Sequence, residues 1–444
     1  MKILLLNPPK EKEITFAVLT DYNTKARNNN PPLGLLYLHS YLSPYHNVDV
    51  VDMSAEELGI LNIHNILLKY KPDIVGITCV ISKWPTTKEL SRQIKIFNKD
   101  IITIVGGVNP SLYTYETLQC EDIDYVIRGF GQIPLLELCN ALDKKETTTT
   151  IKNCCTKETY RYPEKGCFNF EDIDKYPFPN RKIVPIDNYN MPFSPKNPTT
   201  SMLTSFGCFH KCHFCQCRTF TPIVIRKPEY VIDELKEVKT DGIKSVIFQD
   251  ELFTMSNRRI TDICTPMIEN KIDLNWAIRA RATHLKQESL DLMRQAGCFN
   301  IHMGIESGTD RILKRMNKNI TVPQIKESIK AIKKAGMSCS ASFMLGYPGE
   351  TKEEILETIY FAAELELNVC QFYITIPSPG TELYKEWQER TGYKGDVFSQ
   401  FTMNPDSIDL DGNIASDLFT REEMNEFVQL GFSKTNNLYK IKND

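Results

Sequence analysis

The sequence predicts an α/β protein of two modules: a doubly wound, Rossmann-like parallel sheet, then a (β/α)6 partial barrel with a small mixed and helical C-terminal region. Three observations carry this. Short apolar runs alternate with helical patterns through residues 1–142, the βαβα rhythm of an open parallel sheet. Strand–helix pairs resume within residues 199–380 and recur six times, as in a closed or three-quarter barrel whose reactive loops follow the strands. Between them, residues 143–198 lose periodicity. Thr147–Thr150 is low in complexity there and Tyr176-Pro-Phe-Pro179 is proline-rich, which reads as a linker packed across the surface. Residues 381–444 form the C-terminal region, with a helix expected from Arg421 to Lys440.

In the first module, strands are expected at Lys2–Asn7, Val48–Asp52, Asp73–Cys79, Ile102–Gly106 and Asp124–Ile127. Helices are expected at Leu33–Leu42, Ala55–Tyr70, Thr86–Asn98, Ser111–Gln119 and Ile133–Leu142. Ligands of such sheets sit beyond the carboxyl ends of the strands. The turns there carry Asn7-Pro-Pro9, Ile81-Ser-Lys-Trp84, Gly106-Gly107-Val-Asn109-Pro110 and Gly129-Phe-Gly131. Glycines in such turns let the backbone approach a ligand closely.

In the second module, strands are expected at Thr200–Ser205, Lys244–Gln249, Leu274–Ala277, Phe299–Met303, Ser338–Leu345 and Gln371–Ile376. The intervening helices are Glu229–Thr240, Arg258–Asn270, Gln287–Gln295, Thr309–Lys314, Val322–Ala335 and Lys352–Leu367.

Composition narrows the function classes. The 444 residues are 41% hydrophobic and 25% charged, with a net charge of −3. No basic surplus calls for nucleic acid or an anionic membrane surface. The longest apolar run, Ile74–Ile81, is far short of a membrane span. Met1-Lys2 leads into an apolar run ending at Asn7, too short for a signal peptide. A cytoplasmic protein is expected, with its 14 cysteines mostly reduced thiols or metal ligands.

Three of those cysteines stand in Gly207-Cys208-Phe-His-Lys-Cys212-His-Phe214-Cys215, directly after the first barrel strand. Three thiolates can hold three irons of a [4Fe–4S] cluster and leave the fourth open for chemistry. A zinc site is the alternative, with His210, His213 or Cys217 as a fourth ligand. Phe214 could lay its ring on a bound adenine.

The remaining strand ends carry further motifs in order. These are Phe248-Gln-Asp250-Glu251-Leu-Phe-Thr254, then Trp276 with Arg279 and Arg281, then Gly304-Ile-Glu306-Ser307-Gly308. Leu345-Gly-Tyr-Pro-Gly-Glu-Thr351 and Pro377-Ser-Pro-Gly-Thr381 follow. With the cysteines, they make residues 195–385 similar to the radical S-adenosylmethionine (SAM) enzymes. The resemblance implies a [4Fe–4S] cluster on Cys208, Cys212 and Cys215, with SAM chelating the open iron. It implies that Arg279 and Arg281 face the SAM carboxylate, Glu306 and Ser307 the ribose, and Asp250 and Glu251 the methionyl amine or the substrate.

The first module resembles the cobalamin-binding domains that precede such barrels. Asn7-Pro-Pro9, Pro31-Pro-Leu-Gly-Leu35, Asp73-Ile-Val-Gly-Ile77, Gly106-Gly107 with Pro110, and Arg128-Gly129-Phe-Gly131 carry the likeness. A nucleotide-binding or purely structural domain is the alternative. Gly106, Gly107, Asn109, Gly129 and Gly131 are the implied cobalamin contacts. Asn109 stands where the family more often has histidine. Asp-x-His-x-x-Gly is absent from the sequence, so no histidine is offered to cobalt in that way. Trp84 could cover the lower face of the corrin, or be a core tryptophan.

Together the resemblances imply that a 5′-deoxyadenosyl radical takes hydrogen from an unactivated substrate carbon, which then receives a methyl group from methylcobalamin. Cyclisation or another rearrangement on the same cofactors stays open, as does a non-enzymatic iron–sulfur or zinc protein. The implied partners are a small-molecule or peptide substrate and an electron donor such as flavodoxin or ferredoxin.

Overall fold

The computed structural model describes residues 1–9, 30–160, 173–191, 194–219, 223–283, 285–395 and 414–435. One compact unit runs to Asn190 and a second begins at Met191.

The first unit is a parallel sheet with helices between its strands. It contains β1 (Lys2–Asn7), α1 (Leu33–Leu42), β2 (Asn47–Asp52), α2 (Ile63–Tyr70), β3 (Ile74–Thr78) and α3 (Trp84–Phe97). Then come β4 (Ile102–Gly106), α4 (Val108–Leu112), α5 (Thr114–Leu118), β5 (Tyr125–Ile127), α6 (Gln132–Lys144) and β6 (Cys154–Cys155). The strand order is β2-β1-β3-β4-β5-β6, with only β6 antiparallel. That order reverses direction between β1 and β3, which opens a crevice beyond their carboxyl ends. Leu4, Leu6, Val75 and Ile77 are buried with α2 and α3, and Ile3, Leu5 and Ile74 with α1 and α6. The inner strands β1, β3 and β4 are covered on both faces, so they read as near-continuous apolar runs.

Two expected helices differ. Ala55–Tyr70 starts late, as a 3-10 turn at Ile60–Asn62 before α2. Glu57 in the left-handed region (φ 56°) precedes it. Ser111–Gln119 is instead two short helices that meet at Tyr113, whose φ of −124° and ψ of 51° break the helical path. The expected linker also belongs largely to this unit. It supplies β6, and its Tyr189 is buried with the hydroxyl donating to Asp52 Oδ2 at 2.9 Å.

The second unit holds β7 (Thr199–Met202), β8 (Ser205–Phe206), β9 (Val224–Ile225), α7 (Pro228–Thr240), β10 (Ser245–Phe248) and α8 (Asn257–Glu269). It continues with β11 (Asn275–Ala280), α9 (Gln287–Gln295), β12 (Cys298–Glu306), α10 (Asp310–Arg315), α11 (Val322–Lys334), β13 (Ser338–Leu345), α12 (Lys352–Glu364), β14 (Val369–Ile374), α13 (Glu382–Thr391) and α14 (Arg421–Thr435). The remainder of the expected C-terminal helix lies outside the described residues. Six strands pair in parallel in the order β14-β13-β12-β11-β10-β7, the (β/α)6 succession of a partial barrel. Helix starts are well signalled: Thr309, Thr321, Thr351 and Thr381 all cap with their side chains, each satisfying an otherwise orphaned N–H. Phe248, Phe253 and Trp276 pack with ring centroids 5.1–5.6 Å apart. The Trp276 indole donates to Ala296 O at 2.7 Å, which satisfies the one polar atom of that cluster.

The expected strand Thr200–Ser205 divides into β7 and β8. β8 pairs antiparallel with β9, so the cysteine loop is the connection between the two strands of a small ribbon.

Candidate functional site

Asp250, at the end of β10, explains how the cysteine loop is held. It is fully buried. Its Oδ1 accepts from Thr204 N at 2.7 Å, and its Oδ2 from the Thr204 and Ser205 hydroxyls at 2.5 and 2.6 Å. Arg259 of α8 donates to Thr204 O at 2.6 Å. Burial raises the Asp250 pKa, opposed by these hydrogen bonds. Asp250 was expected to face the methionyl amine or substrate. Its oxygens are instead spent on the chain just before Cys208. Glu251, one residue on, is half-buried. Its Oε2 accepts from Gly207 N at 2.9 Å, and burial raises its pKa.

Past that anchor the three cysteines converge closely enough to influence one another electrostatically. Burial raises the Cys208 pKa, and the neighbouring Cys215 and Cys212 raise it further. Cys215 is lowered, chiefly by a hydrogen bond from Cys217, with Lys318 helping. Arg281 is buried and donates to Cys212 Sγ at 3.8 Å, so it stands at the cluster loop. The backbone pins the loop from outside. His213 N donates to Met316 O at 3.0 Å, and Leu383 N to His213 O at 3.0 Å. Among the described residues, no group of His, Cys, Asp or Glu is gathered to hold a single metal ion. The donor set of three thiols on one short loop, beside a guanidinium, fits an iron–sulfur cluster with one open iron.

Glu306 closes β12 at a bulge, where pairing with β13 shifts between Gly304 and Glu306. Its φ of 72° is left-handed, uncommon for a glutamate and costly enough to need support. Gly304 makes room, since a Cβ there would stand 2.5 Å from Glu306 Oε1. Lys318 donates to that oxygen at 2.7 Å, and both side chains are about nine-tenths buried. The Lys318 ammonium also lies 5.7 Å from the Phe214 ring centroid. Phe214 is half-buried against the small cluster of Ile312, Met316, Tyr347 and Leu383. Lys318 was not singled out in the sequence. The signal for it is weak, because a lysine twelve residues beyond Glu306 reaches back only through the turn after α10.

Ser307 was expected to reach a ribose. It is fully buried, with Thr309 and Thr358 hydroxyls at 3.3 and 3.2 Å. It fastens the turn to α12 and does not face the barrel mouth. Arg279 does face it. Exposed at the end of β11, it makes no hydrogen bond or ion pair with the described residues, yet its charge is felt by Glu251, His302 and Tyr373.

In the first unit, Gly107 holds φ 111° after β4, and a Cβ there would stand 2.8 Å from Cys79 O. Gly129 is also left-handed, with φ 67°, and donates its N–H to Ser111 Oγ at 2.8 Å. A Cβ on Gly131 would press on Leu38 at 3.2 Å, while Gly106 has ordinary clearance. Asn109 is buried, with Nδ2 3.7 Å from Cys79 Sγ and Oδ1 without a partner among the described residues. A turn at Gly107 that admits no side chain, with the orphaned buried oxygen of Asn109 beside it, fits a large ligand laid against the strand ends. Trp84 does not line it as a corrin cover. It is buried in the apolar core of this unit with Cys79, Leu90 and Ile94, because it starts α3 on the inward face.

The B12 binding domain family matches residues 19–139, and the Radical SAM superfamily matches residues 202–362. The chain is 33% identical over 392 residues to "Uncharacterized methyltransferase PH0819" of Pyrococcus horikoshii, spanning 87% of this chain and 83% of that one. It is 27% identical to an anaerobic magnesium-protoporphyrin IX monomethyl ester cyclase of Rubrivivax gelatinosus, over 86% of this chain and 71% of that one. The fold is shared with the radical SAM methyltransferase TsrM of Kitasatospora setae. The TM-score is 0.68 at 17% identity, covering 88% of this chain and 78% of that one. The two family matches, in this order on one chain, and the relative at 33% identity lead to one conclusion: the chain belongs to the cobalamin-dependent radical SAM enzymes, whose cofactors are a [4Fe–4S] cluster, SAM and cobalamin.

Proposed function

We propose that this enzyme is a C-methyltransferase acting on an unactivated carbon of a small-molecule or peptide substrate. When bound, the cluster and SAM supply a 5′-deoxyadenosyl radical, and methylcobalamin supplies the methyl group. Cys208, Cys212 and Cys215 would hold the cluster, with Asp250 fixing their loop. Arg281 at Cys212, Glu251 on Gly207 and Glu306 on Lys318 are the polar groups that would orient SAM, with Phe214 beside its adenine. Gly106, Gly107, Asn109, Gly129 and Gly131 would receive cobalamin. The single observation that carries the methyl-transfer reading is the match to the Pyrococcus horikoshii methyltransferase along 83% of its length. Ring-forming chemistry is the second reading, favoured by the cyclase relative.

The chain's own contribution is positioning and the exclusion of water. An external one-electron donor such as flavodoxin or ferredoxin would reduce the cluster, in a cytoplasmic setting. No helix among the described residues is long and apolar enough to cross a membrane.

The test is anaerobic incubation of reconstituted, cobalamin-loaded protein with SAM and dithionite, followed by mass spectrometry of cell extract for a +CH₂ product. Cys208→Ala, Cys212→Ala and Cys215→Ala are each expected to lose 5′-deoxyadenosine formation. Retention of that product in these variants would overturn the cluster assignment. A product without the added carbon would replace methylation by the second reading.

A further inference from the structure

Beneath the SAM-orienting groups the barrel lumen is polar, and its hydrogen bonds have a direction. Arg279, His302 and Ser340 stand at paired positions on β11, β12 and β13. Asn300 Nδ2 donates to Ser340 Oγ at 3.1 Å. The Asn300 amide is oriented by Ser338, whose hydroxyl lies 3.2 Å from Asn300 Oδ1. Ser340 Oγ lies 3.0 Å from His302 Nδ1, and His302 Nε2 lies 3.3 Å from Ser342 Oγ.

Ser340 is buried, and His302 Nδ1 is the acceptor within reach of its proton among the described residues. A buried hydroxyl that kept its proton unbonded would be costly, so Nδ1 accepts. Burial, aided by Arg279, lowers His302 to about 4, so the ring is neutral at pH 7. A neutral ring that accepts at Nδ1 carries its proton on Nε2 and donates it to Ser342. The chain Asn300 to Ser340 to His302 to Ser342 therefore ends on a hydroxyl proton with no further acceptor among the described residues. Ser342 pairs with Gln371 of β14 in register. Tyr373, two residues further along β14, makes no hydrogen bond with the described residues. Arg279 stands on the same side of the sheet, because it pairs in register with His302 on the neighbouring strand, and its charge is felt by both His302 and Tyr373. The carboxylates nearest this space are already engaged, Glu306 by Lys318 and Glu251 by Gly207 N.

We infer that the lumen takes a substrate bearing an anionic oxygen group, such as a carboxylate, phosphate or phosphonate, held between the Arg279 guanidinium and the Ser342 hydroxyl. The inference rests on the radical SAM reading of this barrel. It moves Arg279 from the SAM carboxylate to the substrate and leaves Arg281, two residues on and bonded to Cys212, nearer the cluster. A guanidinium and a hydroxyl donor on the lumen side of β11 and β13 match an oxyanion, and a neutral apolar substrate would leave both unsatisfied.

The experiment uses cluster-reconstituted, cobalamin-loaded protein with the cluster oxidised, so that SAM binds without being cleaved. Inorganic phosphate, ethylphosphonate and propionate are titrated by calorimetry with SAM saturating. At least one is expected to bind. Arg279→Gln should weaken it tenfold or more, Arg279→Lys should restore part of that loss, and Ser342→Ala should weaken it about threefold. Phosphate against propionate tells which oxyanion the lumen prefers. The inference fails if none binds, if affinity in Arg279→Gln stays within twofold of wild type, or if saturating SAM abolishes binding. The last result would return Arg279 to SAM. Reductive cleavage of SAM by the wild-type protein is read separately. Protein that cleaves SAM but binds no oxyanion keeps the radical SAM reading and loses this one.

Discussion

Lys318 and Glu306 form a buried ion pair, Nζ to Oε1 at 2.7 Å, and Glu306 adopts a left-handed backbone to make it. The pair sets where the glutamate's second oxygen points, and it brings a cation beside Phe214 and Cys215. Removing one partner of a buried pair leaves an uncompensated charge and typically costs about 3–5 kcal/mol. Lys318→Met is expected to destabilise by about that much in denaturant unfolding. The double variant Lys318→Met with Glu306→Gln should recover at least half of the loss. If the double variant is as unstable as the sum of the singles, the pair is not coupled.

Asp250 supports the cysteine loop without touching iron. Asp250→Asn puts an N–H where three donors already point, so at least one buried donor loses its acceptor, at about 1–3 kcal/mol. The expected result is an iron content after reconstitution at least twofold below wild type, measured by colorimetric iron assay. Full iron loading in this variant would show that the cysteine loop keeps its shape without Asp250.

Gly107 combines a positive φ with a carbonyl in the way of any Cβ. Gly107→Ala is expected to cost about 1–3 kcal/mol and to reduce bound cobalamin, read from the visible spectrum after desalting. A variant that takes up cobalamin like wild type would mean that this turn does not shape the cradle.

Glu350, in the turn after β13, is buried and raised to about 7 chiefly by burial, although Gly346 N and Tyr347 N donate to its Oε2 at 2.6 and 3.1 Å. Its folded pKa lies above the unfolded one. Its contribution is therefore fully present below about pH 4.3 and is lost as pH rises toward about 7. At roughly 1.4 kcal/mol per pKa unit, wild type should lose on the order of 3 kcal/mol relative to Glu350→Gln across that window. Thermal melts of both proteins from pH 4.5 to 8 measure the difference, and a constant gap between them would contradict the assignment.

Much of this protein was written in its linear pattern. Apolar runs set β1, β3 and β4 of the first sheet, because strands covered on both faces cannot hide among polar residues. Thr309, Thr321, Thr351 and Thr381 mark helix starts that any reading of capping residues can find. The spacing of Cys208, Cys212 and Cys215 carried the chemistry, since a short loop of three thiols has few other uses. What the chain order could not decide was how the polar side chains at the strand ends divide their work. Asp250 and Glu251 are neighbours, yet one is spent on Thr204 and Ser205 while the other borders the mouth. Ser307 turns to Thr358 on a helix 51 residues away in sequence, and Trp84 sinks into the core. Lys318 becomes part of the site only because the turn after α10 folds back over Glu306. Sequence periodicity reports which face of an element is buried. Which acceptor a buried donor finds depends on contacts between distant segments, and only the folded packing sets those.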